Sequence, residues 1–132
     1  NIACIVATHD KNDALSFADK LLIIRNNKIL VNDTPIEIYK NPKEKYIAAL
    51  FDDVNDIVLN GENLLLYPHQ IKVVENLTTN TALSVITATV LNSYFKGAYW
   101  LIEANFENQI VFFNHFSDLA INKVLQLSFT LK

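Results

Sequence analysis

The residues best placed to do chemistry are Thr8-His9-Asp10, which follow the uncharged run Ile2-Ala3-Cys4-Ile5-Val6-Ala7 without a break. A continuous apolar run is the pattern of a strand covered on both faces, whereas a half-exposed strand alternates. A polar triplet at its end, followed at once by Asn12-Asp13-Ala14-Leu15, places a side chain at the carboxyl edge of a parallel sheet. Ligands of α/β folds bind at that edge. A lone His after an apolar strand is by itself more often structural than catalytic, although an imidazole at such an edge can hydrogen-bond a phosphate oxygen. Asp10 is expected to cap the helix and not to act as a base, because a carboxylate at that position accepts the first free N–H groups and complements the helix dipole. Ala14, Leu15 and Ala18 recur at helical spacing as a narrow apolar stripe.

The elements that must position this triplet follow in order. Leu21 to Ile24 and Ile29 to Val31, separated by Asn26-Asn27, predict a β-hairpin. Thr34-Pro35-Ile36-Glu37 predicts a helix start of the capping-box type: Thr34 accepts from the Glu37 amide, Glu37 reaches back, and Pro35 takes the first helical position. Asn41-Pro42-Lys43-Glu44 predicts the same scheme again, opening a second helix that carries Tyr46, Ile47, Leu50 and Phe51. These features are structural and carry no chemistry of their own.

Taken together, residues 1 to about 55 resemble the switch-histidine region of ABC-transporter ATPases. There a strand ends in Val-Thr-His-Asp, followed by Glu-Ala-Leu and Ala-Asp-Arg, then a strand, a Gly turn, a strand, and Gly-Thr-Pro-x-Glu-Ile-Tyr-x-x-Pro. Here the matching residues are Val6-Ala7-Thr8-His9-Asp10, Asp13-Ala14-Leu15, Ala18-Asp19-Lys20, and Asp33-Thr34-Pro35-Ile36-Glu37-Ile38-Tyr39 with Pro42 beyond. Asn27 and Asp33 stand where the family has Gly, and both types tolerate a left-handed backbone better than most. The resemblance implies that His9 is the switch histidine, contacting the γ-phosphate of ATP and helping to orient the attacking water. It is the one catalytic and cofactor-binding residue so assigned.

Composition sets bounds on this reading. The chain has 132 residues, 51% of them hydrophobic, and a formal net charge of −3. That excludes a disordered segment and argues against a nucleic-acid or anionic-membrane binder, which needs a basic surface. Cys4 is the sole cysteine, so no intramolecular disulfide forms. No apolar run approaches the ~18 to 20 residues that span a bilayer, and no signal peptide is visible. The sequence opens mid-strand without a methionine and is read as a piece of a longer protein. With Gly61 and Gly97 the only glycines, a G-x-x-x-x-G-K-[ST] loop is absent. By the resemblance, that loop, the signature segment and the catalytic Glu lie upstream, so ATP and Mg belong to the full-length parent and this piece alone is not catalytic. Residues 2 to 7, a buried strand without neighbours, are expected to fray, change structure or pair with another chain.

From Val54 the periodicity changes. Ile57-Val58-Leu59, Asn60-Gly61 and Leu64 to Tyr67 predict a tight hairpin; Pro68-His69-Gln70 interrupts, and Ile71-Lys72-Val73 resumes. Residues 75–81 are polar and loop-like. Period-2 alternation follows in four stretches: Ile86, Ala88 and Val90; Trp100, Ile102, Ala104 and Phe106; Ile110, Phe112 and Phe116, sharing a face with Asn114; and Leu125, Leu127, Phe129 and Leu131. Lys96-Gly97 and Asn105 to Asn108 supply turns. Short strands at this spacing predict a closed or nearly closed small barrel. The part from about Asp52 resembles the OB-like module called TOBE that follows the ATPase domain in importers. The family's Arg and Glu beside the proline are absent, since here the residues are Tyr67-Pro68-His69.

His69 and His115 have no second ligand at metal spacing. Tyr94, Phe95, Tyr99, Trp100, Phe112, Phe113 and Phe116 are stacking platforms for bases on one reading. However, over residues 77–132, Lys96, Lys123 and Lys132 only balance Glu103, Glu107 and Asp118, so the core reading is favoured. Asp52, Asp53 and Asp56 read as a solvated linker.

The fold class expected is α+β: residues 1–51 as a truncated carboxyl-terminal piece of a P-loop α/β ATPase domain, and residues 52–132 as a small antiparallel OB-like (TOBE) β-barrel. The resemblance implies the ATP-binding subunit of an ABC importer for an ion, oxyanion, polyamine or sugar. Such a subunit lies in the cytoplasm at the inner face of the membrane, with a second copy and the permease subunits as partners and no nucleic acid. The alternative is an autonomous OB-type module binding a small oxyanion or a nucleic acid.

Overall fold

Helix α1 (Lys11–Phe17) starts where Asp10 can cap it: the carboxylate Oδ1 accepts the N–H groups of Asn12 at 2.8 Å and Asp13 at 3.3 Å. Two of the donors that every helix leaves free are thereby satisfied. The computed structural model describes residues 2–74 and 83–130. It divides into two compact units, Asn1–Asp52 and Asp53–Lys132. The expected loop at 75–81 and Leu131 lie outside the described residues.

In the first unit, strands β1 (Leu21–Arg25) and β2 (Lys28–Asp33) pair antiparallel. Asn26 and Asn27 join them with φ of 52° and 61°, the two left-handed residues a type I′ turn demands. A register shift between Ile23 and Ile24 marks a bulge, and the hairpin buries Ile23 while Leu22 and Ile24 stay exposed. Helix α2 (Pro35–Lys40) opens on Thr34, whose Oγ1 accepts the Glu37 N–H at 3.3 Å. The reciprocal half of the expected box is diverted: the Thr34 N–H donates to Asp33 Oδ1 at 2.7 Å, and the Glu37 carboxylate accepts from Asn41 Nδ2 at 3.1 Å. With Thr34 alone satisfying the helix start, Thr34→Ala is expected to cost about 1 kcal/mol, read as a lower denaturant midpoint with unchanged slope.

The second expected cap is corrected by the structure. Asn41 ends α2 instead of starting a helix, its N–H donating to the Glu37 carbonyl at 2.9 Å. Helix α3 (Lys45–Ala49) begins later, after Glu44, with no side-chain cap. A residue committed to closing one helix is not free to open the next. Ile23, Ile38, Ile47 and Phe51 form the core, with Leu15, Leu21 and Tyr39 packed against it. Each fully buried aliphatic or aromatic side chain contributes roughly 1.5–3 kcal/mol.

Residues 2 to 7 behave as expected of a strand whose neighbours are missing. They form no strand, and every residue from Ile2 to Asp13 is exposed. A strand is stabilised by neighbouring strands that satisfy its N–H and C=O groups, and β1 and β2 pair with each other instead.

The second unit is antiparallel throughout. Strands β3 (Asn55–Leu59) and β4 (Glu62–Leu66) form a hairpin over Asn60 and Gly61, with φ of 53° and 80°. A 3₁₀ turn at Pro68–Gln70 follows, where the Tyr67 N–H donates to Gln70 Oε1 at 2.7 Å. Strands β5 (Lys72–Val73), β6 (Leu83–Phe95), β7 (Trp100–Phe106), β8 (Gln109–His115) and β9 (Val124–Thr130) form one sheet in the order β5-β9-β6-β7-β8. The long β6 serves two neighbours, pairing through Leu83–Thr89 with β9 and through Thr89–Phe95 with β7. An irregularity between Val90 and Asn92 bends it at the handover, as an extra residue in one strand does.

The sheet curls into an OB-like half-barrel around Ile86, Val90, Ile102, Val111, Phe113, Leu127 and Phe129. The expected alternation holds on β6, β7 and β9, whose inward residues are buried. It inverts on β8, where Val111 and Phe113 are inside and Ile110 is 46% exposed. The segment Gln-Ile-Val-Phe-Phe-Asn-His is apolar on both faces, so pattern alone does not set its register. Nor does a ladder close the barrel, since β3–β4 remains a separate two-stranded sheet.

Candidate functional site

His9 lies in the exposed entry to α1, between two residues whose side chains are already engaged. Thr8 Oγ1 accepts the Asp10 N–H at 3.0 Å, and Asp10 caps the helix. Local structure therefore consumes Thr8 and Asp10. Among the described residues nothing hydrogen-bonds the His9 imidazole, which leaves both ring nitrogens available to a ligand. Asp10 acts as the cap the sequence implied.

Within the same unit, an open groove of about 340 Å3 is lined by Thr8, His9 and Asp10 on one side and by Ile23, Tyr46 and Phe51 on another. The Arg25 guanidinium sits over the Tyr46 ring, 4.4 Å from its centroid, a cation–π contact worth about 0.5–1 kcal/mol at an exposed site. The groove thus brings the His9 imidazole together with Tyr46, Leu50 and Phe51 in one lining, and Arg25 touches it only through the Tyr46 ring. Arg25 and Tyr46 escaped sequence reading because they are distant along the chain and meet only through packing of the hairpin and α3. Deeper in this unit, Tyr39 meets Phe51 edge-on at 5.9 Å. Burial, reinforced by the negative charge of Asp52, pushes the Tyr39 phenol above its usual value.

This set suits one contact to a phosphate oxygen. It does not build a nucleotide pocket, for no glycine-rich cradle of backbone N–H groups stands beside it. Among the described residues no group of three His, Cys, Asp or Glu gathers to hold a metal ion. An imidazole so placed can donate one hydrogen bond to an anionic oxygen.

The second unit keeps its aromatics mainly as structure. Phe113 and Phe106 are buried. His69 stacks on Tyr67 at 5.7 Å, and His115 packs between Phe113 and Phe116 at 6.4 and 4.4 Å. Phe95 lies 5.1 Å from Trp100. Tyr94 Oη donates to a Glu103 carboxylate oxygen at 2.9 Å, and that bond raises the phenol above its usual value. Of the expected linker carboxylates, Asp53 is exposed and Asp52 half-buried, while Asp56 belongs to strand β3, paired with Leu65 and facing outward. Among the described residues no helix is long and apolar enough to cross a membrane.

No family model matches the chain. Individual proteins do. The spermidine/putrescine import ATP-binding protein PotA of Trichormus variabilis is 34% identical over 84 residues, covering 64% of this chain and 20% of that protein. The protein of the same name from Mycoplasmopsis synoviae is 26% identical over 155 aligned positions, covering 96% of this chain and 33% of its own length. That of Mesomycoplasma hyopneumoniae is 29% identical over 132 positions, covering 81% and 28%. The chain spans about a fifth to a third of the length of these relatives.

Proposed function

From a chain related to the ATP-binding subunits of ABC importers, whose carboxyl-terminal part it matches, we propose that it acts as that part of such a subunit, coupling ATP hydrolysis to import of a polyamine. The alignment over 96% of the chain with a polyamine-import subunit carries this reading. Residues 1–51 are the end of the ATPase domain, presenting His9 to the γ-phosphate of ATP. Residues 52–132 are a TOBE-like regulatory barrel. ATP and Mg are held mainly by other parts of the subunit, a second copy completes the ATPase dimer, and permease subunits in the membrane receive its motion at the cytoplasmic face.

The unengaged His9 imidazole supports the first assignment. Hydrogen-bond donors aimed at a phosphoryl group undergoing transfer stabilise the charge that develops there. The curled antiparallel sheet of the second unit supports the other. The test is uptake of labelled spermidine into vesicles carrying the permease and the full-length subunit. Uptake and ATP hydrolysis that both depend on the subunit are expected. A subunit that binds oxyanion or nucleic acid but neither hydrolyses ATP nor supports uptake would make the autonomous OB-type module the correct reading.

A further inference from the structure

The wall of the second unit is interrupted between β3 and β8. No backbone ladder joins them: β3 pairs with β4 and β8 with β7. Side-chain amides span the gap reciprocally. Asn55 on β3 donates from Nδ2 to the Phe112 carbonyl and accepts the Phe112 N–H on Oδ1, both at 2.7 Å. Gln109 on β8 accepts the Val58 N–H on Oε1 at 2.7 Å and donates to the Val58 carbonyl at 3.0 Å. Each amide reproduces the donor–acceptor pair of one strand residue, so the strands stand apart by a side chain. Asn55 is 3% exposed, the one polar residue buried as a whole among the described residues, while the Gln109 pair is exposed. The hairpin meanwhile covers the core with Ile57 and Leu66.

We propose that this seam is a latch, and that β3–β4 is a flap that leaves the five-stranded sheet as a unit, uncovering the barrel interior and the outer edge of β8. A ladder breaks cooperatively, bond after bond along a strand. Two amide rungs give way at two points, and a lone two-stranded hairpin holds little structure of its own. The flap begins two residues after Asp53, where the second unit starts. A pull along the chain reaches Asn55 before it reaches any strand of the sheet.

Amide hydrogen exchange on the whole chain tests this. In the wild type, the Val58 and Phe112 amides should exchange at least about tenfold faster than the central amides of β6, β7 and β9, reporting an opening short of global unfolding. Asn55→Asp and Gln109→Glu each remove a donor and set a carboxylate against a carbonyl. Each should speed seam exchange a further ten- to hundredfold or so, leaving the sheet amides unchanged. One common rate for seam and sheet in the wild type overturns the proposal, and that comparison stands even where a variant does not fold. Variants that leave the seam rate unchanged, or that speed the sheet equally, overturn it as well.

Discussion

Replacing His9 by Ala in the full-length ATP-binding subunit is expected to lower ATP hydrolysis by about a hundred- to a thousandfold, the usual cost of deleting one donor aimed at transition-state charge. ATP binding should be retained if, as proposed, His9 makes only one of the contacts to the nucleotide. Fold stability should also be retained. His9 is exposed and makes no hydrogen bond to the described residues, so its truncation falls among surface changes worth within about 0.5 kcal/mol. This separation makes the result informative, since a drop in turnover with unchanged melting and unchanged ATP affinity isolates chemistry. Asp10→Ala should do the reverse. It removes the Oδ1 acceptor serving Asn12 and Asp13 and is expected to cost about 1 kcal/mol of stability, with catalytic loss only as far as α1 frays. Hydrolysis in His9→Ala within a few-fold of wild type would assign the histidine no catalytic role.

The second large effect concerns two adjacent phenylalanines. Phe113 is fully buried at the centre of β8 and packs in the core of the half-barrel. Phe113→Ala is expected to cost about 3–5 kcal/mol, combining lost transfer energy with the cavity left behind. Phe112 faces the other way, and its contribution to the seam is made by its backbone N–H and carbonyl. Phe112→Ala keeps both bonds and should cost about 1 kcal/mol or less. Urea unfolding of the two variants reads the difference directly. Equal costs, or the reverse order, would mean that β8 presents its other face to the core.

That pair also marks where sequence reading stops. The turns were legible, because Asn26-Asn27 and Asn60-Gly61 tolerate the positive φ that tight hairpins require. The caps at Asp10 and Thr34 were legible because each is a short polar side chain acting within three residues of itself. Strands β6, β7 and β9 declared their inward faces because only one face of each is apolar. His9 was legible as a candidate through the order of residues around it and the matching run downstream.

What lay beyond the sequence was everything that needs a partner distant along the chain. Asn41 has the chemistry of a cap at either end of a helix, and only the packing of α2 decided which end it serves. On β8 both faces are apolar, so its register was set by contact with β7 and by Asn55, whose side chain reaches across from β3. The sequence by itself determined the local elements, since their causes lie within a few residues. The tertiary structure alone decided the open seam and the groove where Arg25 meets Tyr46, because both arise from side chains that are brought together only when the chain has folded.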